Sequence, residues 1–207
     1  MSIKIVEDFL SLDEVKKLKH YYSLKNFTTE KYKDTADGYL LFARHKDTDF
    51  NKKNSLIHKI LEKKCKEVFQ CEKMLDGAFY ESYYPNTVHI DSHEELHKLD
   101  DKENHSINKA ILIPLDENPL FKTVFFNAFY KNFDLPKQKY HYEKNYNHDL
   151  EFSHMTKETL DFVNSLEIAE VFEWKLGSAV SFPRNQLHCA INFAKYNLVK
   201  TYITLFF

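Results

Sequence analysis

Apolar residues recur along this chain with two periods, and the change between them near Gly77 divides it. Before that point the spacing is mostly helical. A short strand, Ile3 to Val6, leads into Ser11-Leu12-Asp13-Glu14, a capping box with Ser11 as N-cap and Glu14 reaching back. Leu10 and Val15 are placed for a hydrophobic staple, and Val15, Leu18 and Tyr22 continue one helical stripe. Asp34 to Asn54 is polar and mixed, with one apolar patch, Tyr39 to Phe42, compatible with a strand. A second amphipathic helix is expected from about Ser55 to Phe69, with Ile57, Leu61, Cys65 and Val68 on one side.

After Gly77 the pattern shortens. Ala78–Tyr84, Val88–Ile90, Ala110–Leu115, Thr123–Phe129, Glu170–Trp174, Ala179–Phe182, Cys189–Phe193 and Val199–Phe207 are β-branched or aromatic-rich runs separated by Pro, Asn, Asp and Lys clusters. Eight such runs behind a helical N-terminal third predict a mainly β chain, a double-sheet jelly roll backed by helices. Residues 1–207 are expected to form one domain: a helical support region over 1–76, then a jelly-roll core over 77–207 with an insert at 130–166. In that insert Tyr130 to Leu150 reads as a long loop and Thr156 to Leu166 as a short helix.

Composition narrows the classes. At 207 residues, 43% hydrophobic and 29% charged, the chain is neither disordered nor too short to bury a core. Three glycines and five prolines exclude collagen-like and linker-like sequences. No apolar run approaches the roughly 18 residues of a membrane helix, and no signal peptide is visible at the N-terminus. A net charge of −2 offers no general attraction for nucleic acid or anionic membranes. Cys65, Cys71 and Cys189 are odd in number and lack metal-site spacing, which fits a reducing cytoplasm.

The chemistry concentrates in Tyr83-Tyr84-Pro85-Asn86-Thr87-Val88-His89-Ile90-Asp91. Residues two apart on a strand share a face, so His89 and Asp91 are positioned to grip one ion. A third ligand is expected from the segment Trp174 to His188, where a glycine turn feeds an apolar strand and a short polar bend ends in His188. Two histidines and one carboxylate on one face of an octahedron form the facial triad of non-haem Fe(II) oxygenases, with three positions left open. Twelve residues after His188, Lys200 stands in the last apolar β run. Burying it unpaired is costly, and a bound carboxylate resolves that cost.

With these residues in place, the sequence resembles the iron(II)/2-oxoglutarate-dependent oxygenase superfamily, closest to its small prolyl-4-hydroxylase-like and phage-type members. The resemblance covers most of the chain: the opening Ile-Val-Glu-Asp-Phe-Leu-Ser before a helix, Lys109–Leu115, Thr123–Phe126, and the His89, Asp91, His188 set. It implies a double-stranded β-helix, a cupin-like jelly roll. It implies Fe(II) held by His89, Asp91 and His188, 2-oxoglutarate anchored at its distal carboxylate by Lys200, and dioxygen as the other co-substrate. The implied reaction hydroxylates an unactivated C–H bond and releases succinate and CO2. Asp91 matches hydroxylases rather than the related halogenases, which have a small residue there. Two departures stand out. Lysine replaces the usual arginine, offering a point charge in place of a fork, with Tyr84 and Tyr202 as candidate hydroxyls to assist it. The Gly-Gly pair often found before the Thr123 strand is absent.

Other readings stand beside this one. His93-Glu94-Glu95-Leu96-His97 spells the zinc-hydrolase motif. It follows a strand, lacks an apolar stripe and runs into the polar stretch Lys98 to Asn104, so a solvated loop is expected, with His93 a candidate at the entrance of the substrate site. Arg44 is placed either to clamp an acidic substrate or, the favoured expectation, in a surface ion pair. The histidines and tyrosines of the 130–150 loop fit a substrate lid and a plain loop equally. The alternatives in function are an HExxH-type zinc hydrolase and a non-catalytic jelly-roll module that binds metal or ligand. The prime substrate, a peptide residue or a small metabolite, is left open. So is the oligomeric state, because the apolar C-terminal Leu205-Phe206-Phe207 suits both a core strand and a subunit contact.

Overall fold

The computed structural model describes residues 2–35, 38–47, 55, 58–86, 88–91, 109–129 and 164–207. In chain order the elements are β1 (Lys4–Val6), α1 (Leu12–Ser23), β2 (Thr29–Thr35), β3 (Gly38–Asp47), a π-turn (His58–Glu62), α2 (Lys63–Phe69), β4 (Asp76–Ser82), β5 (Lys109–Pro114), β6 (Lys122–Phe129), β7 (Ile168–Glu173), β8 (Ala179–Pro183), β9 (Gln186–Ala190), a 3-10 turn (Ala194–Tyr196) and β10 (Lys200–Phe206). The strands form a seven-stranded sheet, β1-β8-β5-β10-β4-β3-β2, and a three-stranded sheet, β7-β6-β9. All pairings are antiparallel.

Two apolar layers hold this arrangement. Phe79, Ile111, Ile113, Ile203 and Leu205 cover one face of the large sheet and pack on Val15, Leu18, Leu61, Cys65 and Phe69 of the helical layer. Ala110, Leu112, Val180, Phe182 and Phe206 line its other face and meet Phe125, Phe172 and Trp174 from the small sheet. Strands β5 and β8 are buried on both faces, which is why they read as continuous apolar runs rather than alternating ones. Leu205, Phe206 and Phe207 are buried within the chain, as a core strand.

The capping box forms as expected. The Glu14 N–H donates to Ser11 Oγ, and the Ser11 N–H donates to the Glu14 carboxylate at 2.8 Å. Leu10 and Val15 are buried together as the staple requires. Other expectations are corrected. The N-terminal third is not only helical: β2 and β3 form a long hairpin that extends the large sheet, pairing Thr29 through Thr35 with His45 through Gly38. The Tyr39–Phe42 patch lies within β3 as expected, while interspersed charges mask the rest of the hairpin, because an edge hairpin needs no continuous apolar face. The second helix begins as a π-turn at His58–Glu62 and is α-helical only from Lys63. Val88–Ile90 is not a full strand; it contributes a single bridge, His89 to His188. The strand expected at Cys189–Phe193 runs instead over Gln186–Ala190, which puts His188 in its middle. Of the 130–166 insert, only residues 164–166 are described, so the loop and most of the helix assigned to it lie outside the described residues.

Gly177 joins this core to the N-terminus. Its carbonyl accepts the Leu10 N–H at 2.8 Å, its φ is 80°, and a Cβ there would sit 2.5 Å from the Leu10 carbonyl oxygen. Gly177→Ala combines left-handed strain with a backbone clash and should cost about 2–4 kcal/mol. Urea unfolding checks this, and an unchanged midpoint would contradict it.

Candidate metal centre and its cavity

The ligand set is assembled by one reciprocal backbone pair. The His89 N–H donates to the His188 carbonyl, and the His188 N–H to the His89 carbonyl, each at 2.9 Å. This sets the two imidazoles 4.3 Å apart between ring centres. Asp91, two residues on, is fixed by its own N–H donating to the Arg184 carbonyl at 3.2 Å. Asp91 Oδ1 then lies 3.9 Å from His89 Nε2 and 3.7 Å from His188 Nε2. The three donor atoms all fall within 4.8 Å of one another.

His188 is prepared as a neutral ligand. Its side chain packs against Phe125 and Phe182, and burial pushes its imidazolium down to about 4, against the opposing pull of the Gln186 carbonyl. Nδ1 lies 3.0 Å from that carbonyl, so the tautomer that donates there leaves the Nε2 lone pair facing Asp91. Two imidazole nitrogens and a carboxylate suit a first-row divalent ion such as Fe(II). The donor chemistry and spacing therefore fit the metal that the sequence suggested.

From the triad a cavity of about 240 Å³ runs between the two sheets. It is small beside the roughly 300–1,000 Å³ of drug-sized sites, so it suits a compact ligand. Tyr84, Asn86 and Tyr202 line it along with the triad, as do Lys200, Thr123 and Trp174, which lie together. Lys200 is 2% exposed. Its ammonium lies 4.1 Å from the Trp174 ring centre, 4.9 Å from Phe193 and 5.6 Å from Phe121, and donates to the Lys122 carbonyl at 3.2 Å. Among the described residues no carboxylate pairs with it. Burial lowers its pKa to about 7.

Hydroxyl-bearing residues, Tyr202, Ser82 and Thr123 among them, line the same cavity. The Tyr202 hydroxyl and Ser82 Oγ are 3.0 Å apart, and the Tyr202 ring stacks on Tyr80. Burial first, and then the Asp91 carboxylate, hold the Tyr202 phenol up at about 12. Thr123 Oγ1 accepts a hydrogen bond from Trp174 Nε1 at 3.0 Å. That leaves the threonine proton to be donated into the cavity that Thr123 lines.

His89, Asp91, His188, Lys200, Tyr84 and Tyr202 thus converge on one cavity. Arg44 does not. On β3 it faces away from the cavity, and its Nε and Nη2 each lie 2.7 Å from Glu81 Oε2, with the guanidinium over the Phe27 ring at 3.6 Å. Burial opposes ionisation of Glu81, but hydrogen bonds from Tyr22, Arg44 and Tyr83 outweigh it and hold the carboxyl below its ordinary value. The ion pair, rather than a substrate clamp, is the contact Arg44 makes. His93 and the whole His93–His97 motif lie outside the described residues. In the sequence Trp174 and Thr123 stand only as ends of the apolar runs Glu170–Trp174 and Thr123–Phe129, with nothing to place them at the site. Their one polar signal was an indole and a hydroxyl inside apolar runs, both in need of partners once buried.

The sequence matches no protein-family model and no curated protein. Its fold matches solved structures. One is SnoK, a non-haem alpha ketoglutarate (2-oxoglutarate) dependent carbocyclase from nogalamycin biosynthesis, at 12% identity and TM-score 0.58, covering 99% of this chain and 78% of that one. Another is HygX from Streptomyces hygroscopicus with nickel and 2-oxoglutarate bound, at 9% identity and TM-score 0.55, covering 99% and 81%. A third is a prolyl hydroxylase in complex with a hypoxia inducible factor peptide fragment, from Trichoplax adhaerens, at 9% identity and TM-score 0.52, covering 99% and 82%. The chain has the double-stranded β-helix fold of these 2-oxoglutarate-dependent, non-haem metal enzymes.

Proposed function

We propose that this protein is an Fe(II)/2-oxoglutarate-dependent dioxygenase that hydroxylates an unactivated C–H bond of a peptide residue or small metabolite. One observation carries the reading: a two-histidine, one-carboxylate cluster shares a small cavity with a buried lysine that has no carboxylate partner among the described residues. A compact dicarboxylate answers both needs at once. The fold neighbours support the same cofactors, since HygX holds 2-oxoglutarate together with nickel.

In this reading His89, Asp91 and His188 hold the metal. Lys200 and the Thr123 hydroxyl hold the distal carboxylate of 2-oxoglutarate, with the Tyr202–Ser82 pair beside them. Fe(II) bound with 2-oxoglutarate and dioxygen supplies the oxidising chemistry that yields succinate, CO2 and a hydroxylated product. The chain's part is to bind, orient and exclude water. The Trp174, Phe193 and Phe121 rings dry the lysine end, which strengthens its attraction for a carboxylate. Tyr84, stacked on Phe42 6.5 Å away, lines the wall near Asn86 and the triad. The partner is then a small molecule or a peptide. Among the described residues no helix is long and apolar enough to cross a membrane.

Anaerobic titration with Fe(II) and 2-oxoglutarate tests the reading through the visible charge-transfer absorption of the chelate. A band in the wild type that vanishes in His89→Ala supports it. Metal binding without a band at any 2-oxoglutarate concentration would overturn it. Thr123→Val removes one donor to a charged group and leaves the Trp174 N–H unpaired, so 2-oxoglutarate affinity should fall about tenfold. Metal affinity, measured in the absence of 2-oxoglutarate, should hold.

A further inference from the structure

Lys200 is placed where a cation is hard to keep. It is almost fully buried, surrounded by three aromatic rings, and among the described residues has one hydrogen-bond acceptor for three ammonium protons. The rings favour the charged form, but they do not replace a counter-ion or the lost hydration.

Among the described residues the surrounding ionisable groups do not supply one. From β9, Cys189 is a thiol that burial holds up at about 11. From β6, Lys122 offers only its carbonyl, while its own ammonium reaches Glu173 of β7 on the exposed side at 2.5 Å. On β10 itself Tyr202 is a neutral phenol, and Ser82 is the residue opposite Lys200 on β4. Within the 3-10 turn that follows Phe193, Lys195 lies over the Tyr196 ring. Asp91 lines the same cavity but belongs to the triad with His89 and His188. The direct contacts of Lys200 are with Trp174, Phe193, Phe121 and Lys122, none of them a member of that triad.

We infer that 2-oxoglutarate binding at this site is coupled to uptake of one proton by Lys200: buried among aromatic rings with no counter-ion among the described residues, the anchor gives up its proton in the free protein, and the arriving carboxylate recharges it. The inference rests on the cavity being the 2-oxoglutarate site. Its balance is simple, because the ligand arrives as a dianion, the amine takes a proton from solvent, and an ammonium–carboxylate pair results. The pKa near 7 of the free state agrees with this, and the bound anion raises it. An arginine at this position, always protonated, would show no such coupling. The anchor thereby makes co-substrate affinity a function of pH.

The test is calorimetric titration of the anaerobic Fe(II)-loaded protein with 2-oxoglutarate between about pH 6 and 9, in buffers of differing ionisation enthalpy. In the wild type, affinity should be level below neutrality and fall by about tenfold per pH unit above it, with close to one proton taken up per ligand at the alkaline end. Lys200→Arg should bind with a nearly flat profile and no proton uptake. Flat wild-type affinity with no proton uptake would overturn the inference while leaving the 2-oxoglutarate assignment standing. The same slope in Lys200→Arg would also overturn it, placing the titration at the metal. Absence of binding at every pH would overturn the assignment itself. The wild-type proton count decides the matter even if the variant does not fold.

Discussion

Lys200→Met should make the metal-free protein more stable and unable to hold 2-oxoglutarate. The lysine is buried among Trp174, Phe193 and Phe121 with no carboxylate partner among the described residues, and its pKa is lowered from 10.5 to about 7. Every tenfold loss of proton affinity on folding corresponds to about 1.4 kcal/mol. Methionine fills much of the same volume without a charge, so a gain of about 2–4 kcal/mol is expected after relaxation is allowed for. The sign follows from linkage. Between about pH 7 and 10.5 the unfolded chain binds a proton at this residue that the folded chain does not, so wild-type stability rises with pH across that window. The advantage of the variant is therefore largest at and below neutrality and shrinks toward alkaline pH. Thermal melts of both proteins at several pH values check this, with a rise on the order of 5–10 °C expected near pH 6. A melt lowered at every pH would show that the ammonium is stabilising where it sits and that another group neutralises it. Such an outcome would also remove the argument that the site needs an anion.

Asp91→Ala should abolish the response to metal while sparing the fold. Asp91 supplies the only carboxylate of the triad, and its position comes from a backbone hydrogen bond to Arg184 that alanine keeps. Two neutral imidazoles remain, and divalent-ion affinity should fall by at least about 100-fold. The readout is the thermal midpoint with and without Fe(II) or Mn(II) under anaerobic conditions. A ligand that binds only the folded state raises the midpoint with concentration. Wild type should show that rise and Asp91→Ala should not, with metal-free midpoints within a few degrees. A variant that still responds to metal in full would remove Asp91 from the ligand set.

Much of this protein is written locally. The Ser11 capping box and the Leu10–Val15 staple are satisfied within a few residues, so the start of α1 is legible from the chain alone. The apolar runs of β5, β8 and β10 announce buried strands because both of their faces are covered. His89 and Asp91 read as a pair from their spacing, and Lys200 reads as a cation out of place in an apolar run. In each case the signal is a periodicity or a misplaced charge that a short window contains.

The tertiary structure decided what depends on distant segments meeting. The β2–β3 hairpin joins the sheet through backbone pairing to β4, and beyond the Tyr39–Phe42 patch its charged sequence carries no core pattern to reveal it. His188 reaches the triad because β9 pairs it with His89 across about 100 residues, a register no local pattern records. Arg44 turns to Glu81, Tyr22 and Tyr83 because alternation along β3 puts it on the face opposite the cavity. The Trp174–Thr123 hydrogen bond and the aromatic box around Lys200 gather residues from β6, β10, the segments leading into them and the turn after β7. Residue type and spacing specify what a segment can do. Which groups end up sharing a small, dry volume is set by packing between sheets, and that sharing puts Lys200, with no carboxylate partner among the described residues, in one cavity with the triad.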